Sequence, residues 1–261
     1  MRLLIIAAVA TLLFTNCTPT KMAVSEELNL AKDEYPVKGR QGILINQKLS
    51  FGEYKTTKVK RSWTKGSSSK NGIGVYNEKN EYINLISEEY IQRKQTINFS
   101  LSDGNFSSDV FCASRFDSRD LSIGKSENSI WNIALDISGV GFESQNLFYV
   151  QVYVDDKSPW QLLLDNQASQ AKAKEYSGVF ARSKTEFYTI RPVSKLDQNG
   201  KIRNMPFGSV GYEISDKEGT AVAAVSLLDR GMIFLGKTNP SERFLLANLC
   251  AAILLQENIG D

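Results

Sequence analysis

From Phe244 to Leu255 the chain carries one polar residue, Asn248, among twelve. A helix that is apolar on every side is buried on every side. Its start is marked by Asn239 as N-cap, Pro240 at the first helical position and Glu242 three residues after the cap. Asn258 and Gly260 are plausible stop residues. The apolar run is shorter than the ~20 residues that span a bilayer, so the rest of the chain must enclose it.

The rest reads as β. Short apolar or alternating runs recur from Gly42 onward, punctuated by Gly, Asn and Asp. Ser102-Asp103-Gly104, Asn199-Gly200 and Asp216 to Gly219 are hairpin turns. Leu147–Val154 and Trp160–Leu164 form a pair turned by Asp155 to Pro159. Trp131, Ile133, Leu135 and Ile137 alternate with polar or small residues, which predicts a strand over 129–137. Gln167 to Glu175 is rich in Ala, Lys and Gln and reads as a short helix or a loop. At least eleven strand candidates precede one long helix, with no βαβ alternation. A flat sheet covers one side of a helix, whereas a closed sheet covers all sides and has no free edges. The expected fold is a closed antiparallel β-barrel around a buried C-terminal hydrophobic helix. The alternative is a β-sandwich with one packed helix.

That arrangement resembles the tubby-like superfamily, which includes the phospholipid scramblases and the LURP-one-related proteins. The residues that carry the resemblance are Val222 to Leu228, Met232 to Leu235 and Phe244 through Leu255, with Leu249-Cys250-Ala251 matching a run in the closing helix of tubby itself. The resemblance covers roughly Gly39 to Ile259. It implies about twelve strands wound on the helix, and it implies nothing about activity.

The N-terminus changes the picture of where the barrel lives. Arg2 is followed by an apolar run from Leu3 to Phe14, of signal-peptide length. The run ends at Leu13-Phe14-Thr15-Asn16-Cys17, which resembles the looser lipoboxes of Bacteroidetes-type lipoproteins. The expected organisation is a signal peptide over 1–16, acylation of Cys17, a polar tether over 17–38 and a single barrel domain over 39–261. The expected location is the bacterial cell envelope, as an outer-membrane lipoprotein held through its N-terminal lipid.

Composition removes several chemistries. The 261 residues include no histidine, and the net charge is +2. Ser-His-Asp and Cys-His catalysis and His-ligated metals are excluded, and no global field calls for nucleic acid. Cys112 and Cys250 are flanked by apolar residues and read as two buried thiols rather than a bridge. Gly231 to Thr238 matches the Walker A letters, but Met-Ile-Phe-Leu is a buried strand and cannot cradle phosphate with its backbone. No cofactor site, no metal site and no catalytic residue is expected.

One stretch suggests a surface. Lys55, Lys58, Lys60, Arg61 and Lys65 surround Trp63. Lys58, Lys60, Arg61 and Trp63 are the candidate binding residues, for anionic lipid head groups or an envelope protein. Strand alternation puts Lys58 and Lys60 on one face and Val59, Arg61 and Trp63 on the other. The function expected is a non-enzymatic binding or scaffolding module. The alternative is an envelope glycan hydrolase using paired carboxylates, drawn from Glu88, Glu89, Asp117, Asp120, Asp155 and Asp156.

Overall fold

In a computed structural model of the chain, the described residues are 20–40, 47–63, 74–76, 82–84, 95–116, 130–138, 146–155, 157–205 and 208–256. The chain opens with β1 (Lys21–Met22), α1 (Glu26–Ala31) and β2 (Asp33–Pro36). It continues through β3 (Ser50–Phe51), β4 (Tyr54–Trp63), β5 (Gly74–Tyr76), β6 (Tyr82–Asn84), β7 (Gln95–Ser102) and β8 (Ser107–Phe116). Then come α2 (Ile130–Ser138), β9 (Leu147–Tyr153), β10 (Trp160–Asp165), α3 (Asn166–Ala171), β11 (Gly178–Ala181) and β12 (Phe187–Val193). The last part is β13 (Lys195–Gln198), β14 (Lys201–Asn204), β15 (Gly211–Ser215), β16 (Ala221–Ser226), β17 (Met232–Leu235) and α4 (Pro240–Leu255).

Twelve strands make one antiparallel sheet in the order β2-β17-β16-β15-β12-β11-β10-β9-β8-β7-β4-β3. Its two edges meet just past β2, where Lys38 and Ser50 exchange backbone hydrogen bonds of 2.9 and 3.0 Å. The sheet is thus nearly closed into a barrel, and a sandwich of two sheets is ruled out.

α4 fills the barrel. Every residue from Phe244 to Leu255 is buried. Strands far apart in the sheet order reach it: Tyr188 of β12 donates to Glu242, Ser108 of β8 donates to Asn248, and Arg61 of β4 donates to the Leu255 carbonyl. Asn239 caps the helix by accepting from the Glu242 amide at 3.0 Å. The predicted stops Asn258 and Gly260 lie outside the described residues, and the helix ends at Leu255. The barrel lining alternates as a one-sided strand requires, with Ile97, Phe99 and Leu101 of β7 buried. Cys112 and Cys250 are free, fully buried thiols, and burial pushes both well above the usual cysteine range.

Two expectations are corrected. Residues 130–138 form a helix, α2, where the alternation predicted a strand. Ile130, Ile133 and Ala134 are buried and Ile137 packs on the core, which is the i, i+3, i+4, i+7 stripe of a helix face lying on β10 and β11. The tether read over 17–38 is, from Lys21 on, part of the fold. β2 is a barrel strand paired with β17, and Arg243 of α4 clamps it by donating to Asp33 and to the Tyr35 hydroxyl, both at 2.8 Å. The barrel therefore begins at Asp33 and not at Gly39. β1 pairs with β13 and β13 with β14, making a three-stranded flap. Met22, Leu28, Val210, Ala221, Ala224 and Phe234 form a second small core under it.

Candidate functional site

The basic strand owes its geometry to a bulge. Thr57 pairs with Ser100 and Lys60 with Asn98, so Lys58 and Val59 face the single residue Phe99 of β7. Tyr54 and Thr56 are buried, and strict alternation would carry Lys58 and Lys60 inward after them. The extra residue reverses the phase. Lys58 takes a left-handed φ of 51°, uncommon for a residue with a side chain, and Val59 turns inward instead. Lys55, Lys58 and Lys60 are all exposed as a result.

Arg61 goes the other way. Its guanidinium donates to the Leu255 carbonyl at 2.8 Å, placing a cation on the C-terminal end of α4, where the helix leaves carbonyls without partners. The structure therefore brings Lys58 and Lys60 together on the outer face and separates Arg61 from them. Trp63 ends the strand opposite Gln95, and only its backbone is described. Cys17 and Lys65 lie outside the described residues. The row beside Lys60 runs through Asn98 of β7 to Phe111 of β8. Phe111 is exposed and meets Tyr153 edge-on, with ring centres 5.7 Å apart. The outer face thus carries cations beside an exposed aromatic ring.

A second feature lies at the barrel end where α4 begins. A cup of about 460 Å³ is lined by Trp160, Tyr188, the 185–187 turn, the β15–β16 turn and the first turn of α4. Five carboxylates line it, from Asp155, Glu186, Asp216, Glu218 and Glu242. Three of them accept hydrogen bonds within the fold, and Glu218 pairs with its neighbour Lys217 at 3.5 Å. Asp155 accepts from Arg182 at 2.9 and 3.0 Å and from the Lys157 amide at 3.1 Å, and that guanidinium also lies over the Trp160 ring at 5.2 Å. Asp216 accepts from the Thr220 amide, and Glu242 accepts from the Tyr188 hydroxyl at 2.9 Å. Glu186 and Glu218 stand exposed on the rim.

No family model matches the chain, no curated protein matches it, and no solved structure matches it. What the site can do must be read from its own residues.

Among the described residues no three His, Cys, Asp or Glu side chains converge as metal ligands. Of the paired carboxylates considered for glycan hydrolysis, Asp155 is tied to Arg182, while Glu88, Glu89, Asp117, Asp120 and Asp156 lie outside the described residues. The buried titratable group that lines the cup is the Tyr188 hydroxyl, which is bonded within the fold. Burial, reinforced by the bond to Glu242, raises the Tyr188 hydroxyl above its ordinary range. Burial, with the Glu53 carboxylate nearby, pushes Tyr54 up to about 12. An acid whose folded pKa is raised stabilises the fold while it stays protonated. The contribution of Tyr54 is whole below the unfolded tyrosine value of ~10 and is lost as pH rises through about 12. The urea midpoint should therefore hold up to about pH 10 and fall above it, in step with tyrosinate absorbance. Tyr54→Phe should flatten part of that fall, and an unchanged slope would show that Tyr54 is not a source of it.

The cup was not legible beforehand. Its lining comes from turns and strand ends scattered from Val154 to Leu245. The only local signals were the Asp155-Asp156 turn and the capping Glu242.

Proposed function

We propose that this protein is a lipoprotein of the bacterial envelope, anchored through Cys17, whose barrel is a non-enzymatic module that contacts anionic head groups with the outer face of β4. The observation that carries the reading is the bulge at Lys58. A strand whose phase is reset at one position, so that Lys58 and Lys60 face outward, makes a cationic surface beside exposed Phe111. A basic face with an apolar ring at its side suits the boundary between water and lipid. The barrel interior holds α4, so the module binds on its outside. The wrapped helix is also the architecture that the tubby-like resemblance implies. The outer membrane is the location that the lipobox favours.

The test is vesicle binding by the full chain carrying Cys17→Ala, which isolates the surface from the anchor. Binding to phosphatidylglycerol vesicles should weaken with salt and with Lys58→Ser/Lys60→Ser, because exposed charges are screened within about 8–10 Å. Arg61→Ser, by contrast, should lower stability more than binding, because its guanidinium is bound to α4. No binding at low salt would remove the head-group reading and leave an envelope protein as the partner. A glycan hydrolase reading rests on the cup and its rim acids. Release of reducing sugar from peptidoglycan or an envelope polysaccharide, lost in Glu186→Gln or Glu218→Gln, would favour it.

A further inference from the structure

We propose that the β13–β14 hairpin is the foot on which this protein stands on an anionic bilayer, with the barrel upright and the cup turned away from the lipid. The inference rests on acylation of Cys17 and supplies the orientation that the anchor alone does not give.

The direction comes from the first contacts of the described chain. Met22 fills the space beside Gly211, which pairs with Val193 and Ser226. The backbone turns from Ser226 through Leu228 to Gly231, and Leu254 of α4 packs against Gly231. Met22 thus sits at the level of the C-terminal end of the helix. Six residues later, Leu28 reaches Gly236, whose carbonyl accepts from Arg243 in the first turn of the helix. Between Met22 and Leu28 the chain climbs the barrel from one end to the other. Thr20 and Lys21, the described residues before Met22, therefore lie at the end opposite the cup.

The exit point is fixed on the hairpin. Gln198 donates to the Thr20 hydroxyl at 3.0 Å, and Lys21 pairs with Asp197. Cys17 precedes Thr20 by three residues, at most about 10 Å of extended chain at ~3.3–3.6 Å per residue. The head-group layer is itself roughly 5–8 Å deep on each side. A lipid on Cys17 therefore holds the Asn199–Gly200 turn at the membrane surface.

The hairpin has the chemistry for that position. All four residues of β14 are exposed, and Ile202 is 57% exposed between Lys201 and Arg203. Lys195 adds a third exposed cation. The acid of the hairpin, Asp197, accepts from the Gly200 amide at 2.7 Å and so closes the turn. Strand alternation puts Ile202 on one face of the hairpin with Lys195, and Lys201 and Arg203 on the other, so a hairpin standing on an anionic lipid surface places the isoleucine in the interface and reaches head groups with cations from both faces. Lys60 shares this end, because its neighbour Arg61 is bound to the Leu255 carbonyl.

The test uses the full lipidated chain in vesicles of phosphatidylglycerol and phosphatidylcholine whose acyl chains carry bromine. Ile202→Cys is labelled with a small fluorophore, and Thr185→Cys on the cup rim and Phe111→Cys on β8 are labelled for comparison. Cys112 and Cys250 are fully buried and do not compete for the label. Quenching at position 202 should be several-fold stronger than at 185 and at least as strong as at 111, and Lys201→Glu/Arg203→Glu should reduce it. Quenching at 185 equal to that at 202, or stronger quenching at 111, overturns the upright orientation and leaves the membrane reading standing. The mass of the N-terminal peptide separates the two failures: without acyl mass on Cys17, the anchor and the foot fall together.

Discussion

Leu249→Ala should cost about 2–5 kcal/mol of folding stability, and Leu246→Ala and Ile253→Ala should cost similar amounts. Successive residues of a helix point ~100° apart, so Leu246, Leu249 and Ile253 share one face of α4 while Leu254 and Leu255 leave it in other directions, and Leu254→Ala and Leu255→Ala should cost as much. All are nevertheless essentially inaccessible to solvent. Truncating any of them leaves a void that the sheet cannot close, because hydrogen-bonded strands on every side hold its diameter. A domain has only about 5–15 kcal/mol in reserve, so one substitution removes a large share of it. Urea unfolding of each variant is the measurement. Neutral substitution on one side of the helix would mean that side faces water, and the enclosing barrel would then be wrong.

Cys17→Ala should move the protein from the membrane fraction to the soluble fraction, or leave it as a larger, uncleaved precursor. Acyl chains contribute about 0.8 kcal/mol per buried CH₂, and stable anchoring takes two signals. The lysines of β4 and the β13–β14 hairpin can steer and orient an anchored protein, but screened cations do not replace a lipid. Loss of the acyl group should therefore dominate. A variant that fractionates and migrates like the wild type removes the anchor.

The helix was legible because its signal is local and redundant: a cap, a proline and twelve nearly uninterrupted apolar residues. The closed sheet followed from it by elimination. α2 was misread because Ile133 and Ile137 satisfy both an alternating and a helical pattern. Ile130 and Ala134 decide between them, through contact with β10 and β11 that no local window contains. β2 was missed because Asp-Glu-Tyr-Pro has neither apolar alternation nor length, and its pairing with β17 is supplied by residues nearly two hundred positions away. In the candidate site, Lys58 and Lys60 were correctly placed on one face. The bulge that puts them there carries no glycine to announce it. Arg61 was on the right face, but its destination, the last carbonyl of α4, is a tertiary fact.

The seam between Lys38 and Ser50 and the clamp of Arg243 on Asp33 tie the first barrel strand to the last helix. Synthesis delivers α4 after every strand that must wrap it. Until those sixteen residues exist, the inner face of the sheet has nothing to condense on. Loop closure across some 200 residues must then precede much of the contact energy it releases. The nascent chain therefore has no stable partial barrel to fold into, and it becomes compact only when its C-terminal helix arrives.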